Sequence, residues 1–188
     1  MDIEKNIDVI IENFKELKTS SSKIYDCAKV CIETIENGNK IILCGNGGSA
    51  SDAQHLAAEL VVKYKCERRA LPAISLSTDT SIITAVGNDI GSEMIFARQV
   101  EAIGKAGDVL ISITTSGNSK NIINAINYAK NRNIKTIVLT GESGGEAGKI
   151  SDYTIYAPSD ITNNIQEMHI AIGHILCGII EEHFNNVL

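Results

Sequence analysis

KIILCGNGGSASDAQHLAAEL, residues 40–60, contains the change of pattern that decides the fold. Residues 40–44 form a short, nearly continuous apolar run, as a strand covered on both faces requires. Gly45-Asn46-Gly47-Gly48-Ser49 breaks that run with residues suited to turning backbone. From about Ser51 the apolar residues then recur at helical spacing. Strand, glycine loop and helix in that order open a β-α unit of a parallel sheet.

Working outward, four more short apolar runs follow, at 73–76, 109–113, 136–139 and 153–156, with helical stretches between them. Five strands alternating with helices predict one α/β domain over residues 1–188, its parallel sheet covered on both faces. Ligands of such sheets sit beyond the C-terminal ends of the strands, so the loops there are where a site is expected. Residues 1–38 carry Ile7, Ile10, Phe14 and Leu17, then Ile24, Ala28, Cys31 and Ile35, the spacing of two amphipathic helices. Thr19-Ser20-Ser21-Ser22, a cluster of helix-capping residues, separates them. The stretch 161–184 reads as one long helix interrupted only by Gly173 and Gly178. Its apolar positions spread widely around the axis, which predicts burial on several sides, as at a subunit contact.

The bulk numbers narrow the function classes. With 188 residues, 44% hydrophobic and 21% charged, one ordinary core is expected and disorder is excluded. The formal net charge of −6 and the scattered Lys and Arg argue against a nucleic-acid surface. A phosphorylated small molecule remains compatible, because backbone N–H groups and helix N-termini attract anions without net charge. No apolar run reaches the ~20 residues that span a bilayer. Met1-Asp2-Ile3-Glu4-Lys5 also lacks the layout of a signal peptide, so a cytoplasmic protein without membrane contact is expected. Cys27, Cys31, Cys44, Cys66 and Cys177 are an odd set with no Cys-x-x-Cys pair, which predicts buried thiols acting as small apolar residues. Cys27 and Cys31 share a helix face, leaving a regulatory disulfide or metal role as the alternative.

Three segments could hold a ligand. Gly45-Asn46-Gly47-Gly48-Ser49 can cradle an oxyanion or sugar, but Gly45, Gly47 and Ala50 also satisfy the G-x-G-x-x-G/A spacing of dinucleotide binders. That rival needs an acidic residue ~20 positions on, after the second strand. Glu67 has the spacing but precedes that strand, and Asp79 beyond it is too distant. Thr114-Thr115-Ser116-Gly117-Asn118-Ser119 follows the 109–113 strand and opens a helix. One Ser would suffice for capping, whereas four hydroxyls at a helix N-terminus predict a neutral phosphate cup. Gly87-Asn88-Asp89 reads as a third loop, with an amide and a carboxylate suited to sugar hydroxyls, or as an ordinary turn.

His55 and Glu59 lie four apart on one helix face, spaced as a metal pair or an acid–base pair, although many helices carry such a pair idly. On the last helix Gln166, His169 and His174 interrupt an apolar segment, and buried polar groups need partners. Three histidines and Glu59 could therefore converge from two helices, while His183 reads as a solvated helix-end residue. Imidazole and carboxylate donors suit zinc or another borderline divalent ion, with a Gln oxygen as a weaker, displaceable fourth ligand. Gln166 and His174 are about 12 Å apart along a helix and ~80° around it, so they share an ion only by converging or with a second subunit's help.

The blocks GNGGSASDAQHLAAEL, GND, TTSGNS, LTGESGG and IQEMHIAIGH, in this order and spacing over nearly the whole chain, resemble the sugar isomerase (SIS) domain superfamily and, within it, the phosphoheptose isomerases. The resemblance implies a three-layer α/β/α sandwich around a five-stranded parallel sheet, with the residue 1–38 helices used in packing and assembly. It further implies a homotetramer with active sites at subunit interfaces and one zinc ion per subunit. The implied metal ligands are His55, Glu59, Gln166 and His174. The implied substrate contacts are Asn46, Gly47, Gly48, Asn88, Asp89, Thr114, Thr115, Ser116, Ser119 and Gln166. The implied reaction is aldose–ketose isomerisation of sedoheptulose 7-phosphate to D-glycero-D-manno-heptose 7-phosphate through an enediol, toward the heptose of lipopolysaccharide or capsule, with Glu59 and His174 catalytic. Thr114 stands where many members have Ser, which keeps the hydroxyl, and Lys63 replaces an Arg that some members carry. A rival from another class is a non-catalytic SIS-domain regulator bound to a replication initiator. Such a relative loses the catalytic positions, whereas Glu59 and His174 are both present here.

Overall fold

A computed structural model of the chain describes residues 2–185. Two helices come first, α1 (Ile3–Leu17) and α2 (Ser21–Glu36), joined by one tight turn at Lys18–Ser20. Asp2 caps α1 by accepting the Lys5 N–H at 3.2 Å, one of the four donors every helix start leaves without a partner. The sheet then builds through β1 (Ile41–Gly45), α3 (Gly48–Val61), β2 (Ala73–Ser75), α4 (Thr80–Asp89), α5 (Ile95–Ile103), β3 (Val109–Ile113), α6 (Lys120–Lys130), β4 (Lys135–Gly141), α7 (Gly145–Ile150) and β5 (Tyr153–Ala157). A 24-residue helix, α8 (Thr162–Asn185), closes the described chain.

All strand pairs are parallel, in the order β2-β1-β3-β4-β5. Because the chain leaves β1 toward one edge and later continues from β3 toward the other, the loops after these two neighbouring strands open side by side into a crevice, the usual ligand position in such sheets. Alternation along each strand divides the core. Ile41, Leu43, Ile111, Ile137, Leu139 and Ile155 face α2, α3 and α8, whereas Ile42, Cys44, Leu110 and Val138 face α5, α6 and α7. Both faces of the central strands β1, β3 and β4 are therefore covered, which explains why these read as apolar runs rather than as alternating ones. Each fully buried Ile or Leu contributes roughly 1.5–3 kcal/mol of transfer free energy.

The five expected strands are all present. β4 outruns its apolar run because Thr140 and Gly141 continue pairing with Tyr156 and Ala157 of β5. One expectation is corrected: Gly87-Asn88-Asp89 is not a loop but the last turn of α4. Asp79 caps that helix through the Ile82 N–H at 2.9 Å, and bonding persists to the Ile90 N–H on the Val86 carbonyl at 3.0 Å. The helix ends where Gly91 takes φ +138°.

α8 lies between α2 and α3, and this accounts for most of its widely spread apolar residues within the protomer. Gly173 faces Leu56 so closely that any side chain there would collide with it, which lets α3 and α8 approach side by side. By contrast α1 buries only Leu17, and its outer stripe of Ile3, Ile7 and Ile11 stays 70%, 50% and 45% exposed.

Candidate functional site

Helical spacing puts His55 and Glu59 on one face of α3, and the α3–α8 contact brings His174 against them. The His55 and His174 Nε2 atoms are 2.9 Å apart, and His55 Nε2 is 3.3 Å from Glu59 Oε1. One ligand atom from each of the three lies within 4.8 Å of the others. Tetrahedral zinc bonds of ~2.0–2.1 Å separate neighbouring ligand atoms by about 3.3 Å, close to the two His55 separations, so the two imidazoles and the carboxylate are of the kind and spacing that could hold a metal ion. The rings of His55 and His174 are tilted by 59°, and the Tyr64 ring stacks on His174 at 5.5 Å and 24°. Beside them opens a cleft of about 450 Å³ lined by Tyr64, Cys66, His174, Gly178 and Glu181.

Two of the polar residues considered on α8 lie elsewhere. Gln166 packs at the start of α3, its Nε2 only 2.8 Å from where a Gly48 side chain would begin. Its amide therefore belongs to the glycine loop, about two turns along α8 from His174. His169 does not converge on the centre at all. It sits ~140° around the axis from His174, fully buried, with the Thr140 backbone near its ring but no well-formed hydrogen bond to either ring nitrogen. Burial pushes its pKa down to about 4, against a smaller upward pull from the Thr140 backbone. His183 reaches Glu36 of α2 at 2.7 Å from the far end of the helix.

The two loops at the crevice are built differently. In the first, Gly47 takes φ +57°, which a side chain would strain, and Asn46, Gly47 and Gly48 are exposed. In the second, Gly117 takes φ +67° and packs directly on Gly144 and Gly145, where the loop after β4 enters α7. Thr114 is buried, and its hydroxyl accepts the Gly117 N–H at 3.3 Å, while the Ser116 hydroxyl accepts the Asn118 N–H at 3.2 Å. These two hydroxyls shape the loop. Ser119 occupies the cap position of α6 without a side-chain capping bond, so simple capping does not account for its hydroxyl. Loop positions 114–119 carry no Lys or Arg.

A family model described as SIS domain matches residues 5–141. The chain is 52% identical to phosphoheptose isomerase of Akkermansia muciniphila over 92% of its length and 91% of the relative's, and 58% identical to that of a Nitratiruptor strain over 86% of both. The solved phosphoheptose isomerase of Neisseria gonorrhoeae superposes with a TM-score of 0.91 at 38% identity, covering 96% of this chain and 97% of that one. The chain belongs to the phosphoheptose isomerase family of SIS-domain proteins.

Three further residues, two beside the centre and one between the loops, were missed in the sequence. Asn121, in the first turn of α6, exchanges two amide hydrogen bonds with Asn46, both 2.9 Å, and so spans the crevice between the two loops. Tyr64 stacks on His174. Asp52, one turn before His55 on α3, is half-buried. Burial raises its pKa, against the pull of His55 and His174. Asn88 and Asp89 lie exposed at the end of α4, with the Asn88 amide donating to the Asp89 carboxylate at 2.7 Å. Lys63 pairs on the surface with Glu67 at 3.7 Å. Cys66 is exposed and the other four cysteines are buried, as small apolar residues are. None of the helices among the described residues is long and apolar enough to cross a membrane.

Proposed function

We propose that the chain converts the ketose sedoheptulose 7-phosphate to the aldose D-glycero-D-manno-heptose 7-phosphate, with one zinc ion per subunit held by His55, Glu59, His174 and Gln166. The observation that carries this reading is the convergence of two imidazoles and one carboxylate from α3 and α8, within 4.8 Å of one another, in a chain of this family. A divalent ion bound there supplies Lewis-acid polarisation of the substrate carbonyl. Glu59 takes the proton from C1 and returns it at C2, while His174 moves the hydroxyl proton from O1 to O2, so that atoms and charge balance through an enediol. Thr115, Ser116 and Ser119, with the N-terminus of α6, hold the phosphate, and Thr114 shapes that loop. Asn46, Gly47, Gly48, Asn88 and Asp89 address the sugar. Fixing both ends of the substrate aligns C1 and C2 with Glu59.

Gln166 joins the ligand set by extending from its place at Gly48 or through a subunit contact. The exposed Ile3-Ile7-Ile11 stripe of α1 supports assembly, which we assign as a homotetramer with sites at the subunit interfaces. The product feeds heptose synthesis for lipopolysaccharide or capsule in the cytoplasm. The test is incubation of metal-replete protein with sedoheptulose 7-phosphate, followed by NMR, beside Glu59→Gln and His174→Gln. Wild type should form the aldose, and each variant should lose about 10²–10⁴-fold in rate. Equal rates in Glu59→Gln and wild type would remove Glu59 as the base, and full zinc retention by His55→Ala would remove His55 from the ligands.

A further inference from the structure

Behind the centre, where α3 ends against α8, lies a buried ion pair to which the reaction assigns no role. The Arg68 side chain is fully buried, and its Nε is 3.2 Å from Oε2 of Glu181, which is 3% exposed. The Glu181 carboxylate accepts three consecutive backbone N–H groups, from Tyr64, Lys65 and Cys66, at 2.8, 2.6 and 2.9 Å. The Arg68 guanidinium donates to the carbonyls of Glu59 and Leu60, at 2.7 and 2.9 Å. Those carbonyls belong to the last turn of α3, where a helix leaves its acceptors without partners. Burial pushes the Glu181 carboxyl up, but the three N–H bonds and Arg68 outweigh it and hold it below the ordinary carboxylate range.

Burying two charges is costly, and apolar replacements of buried pairs are often as stable or more so, so stability alone does not explain this one. Its contacts do. Arg68 grips the main chain of Glu59 itself. Glu181 lies two turns beyond His174 and only ~20° around α8 from it, and it orders the segment that stacks Tyr64 on the His174 ring. We propose that Arg68 and Glu181 are positioning residues for the His55, Glu59 and His174 centre. The pair fixes Glu59 through its carbonyl and the His174 ring through Tyr64. This rests on the assignment of Glu59 and His174 above.

The experiment compares full-length wild type with Glu181→Gln, Tyr64→Leu and the double variant Arg68→Met/Glu181→Leu. It measures thermal melting, zinc affinity by competition with a chelator, and kcat and KM for sedoheptulose 7-phosphate. Glu181→Gln should lose about 10–100-fold in zinc affinity and in kcat, with KM held within about twofold, the size expected when support behind metal ligands is removed. The double variant, free of the unpaired charge, should melt higher than Glu181→Gln and still show both losses. Tyr64→Leu leaves the pair intact and should lower zinc affinity in the same direction. Recovery of kcat and zinc affinity together with folding in the double variant would reduce the pair to a structural role and overturn the proposal. Unchanged zinc affinity in Tyr64→Leu would do the same, and would decide the matter even if the other variants failed to fold. Glu59→Gln serves as the reference: if it is inactive while the pair variants are unaffected, only this inference fails, whereas wild-type activity in Glu59→Gln removes the assignment beneath it.

Discussion

His169 is one residue whose burial bears on the response to acid. The unfolded chain takes up its proton near the ordinary 6.5, but the buried ring holds out to about 4. Between those values the unfolded state binds more protons, so stability falls as pH falls from about 6.5 to 4, by up to about 3 kcal/mol. Chemical denaturation at pH 7 and pH 4.5 should show that loss in wild type and a clearly smaller one in His169→Leu; identical slopes would mean the ring is not what titrates. At Gly48 the absent side chain leaves room for the Gln166 amide. Gly48→Ala should therefore keep the melting temperature, since alanine suits a helix start at least as well, while lowering kcat/KM at least about tenfold by displacing Gln166. An unchanged kcat/KM would place Gln166 outside the site. Native thiol titration should find one fast-reacting cysteine, Cys66, and Cys66→Ser should abolish that phase, because burial pushes the Cys27, Cys44 and Cys177 thiols up to about 12.

Among the elements, α3 and α8 matter most, and they also mark where the sequence stops being legible. Gly173 sets their distance, so Gly173→Val should push Leu56 aside, cost about 1–3 kcal/mol in denaturant titration and weaken zinc binding with it; full zinc affinity would separate the helix contact from the centre. The central strands were readable because both of their faces are covered, and that demand is written into 41–44 and 109–113 residue by residue, whereas the edge strand β2 leaves Ile74 exposed and was marked only by its short apolar run. The pairing of His55 with Glu59 was readable too, since helical spacing alone produces it. Periodicity alone did not choose among Gln166, His169 and His174, because all three sit on one apolar helix and only its rotation against α3 decides which of them meets His55; the family resemblance named Gln166 and His174, and the structure brings His174 there. Tyr64 and Asn121 left no local signal for the same reason. Gly87-Asn88-Asp89 misled because turn-favouring residues also end helices, and the Asp79 cap upstream carried α4 through them.

Taken as a whole, the molecule places its glycine loop and its hydroxyl-rich loop side by side where the sheet order reverses, with the candidate metal centre on the adjoining helices. Its outer α1 stripe remains uncovered. The native protein should run at four times the 20.2 kDa chain mass in light scattering, and Ile7→Glu/Ile11→Glu should shift it to smaller species; a 20.2 kDa wild type would exclude subunit-shared sites. The central claim is that this chain turns over a seven-carbon ketose phosphate with Glu59 as its base. NMR of zinc-loaded protein with sedoheptulose 7-phosphate tests it most directly. An aldose signal growing with wild type and at least about a hundredfold slower with Glu59→Gln is the expected result; no aldose from wild type would contradict it.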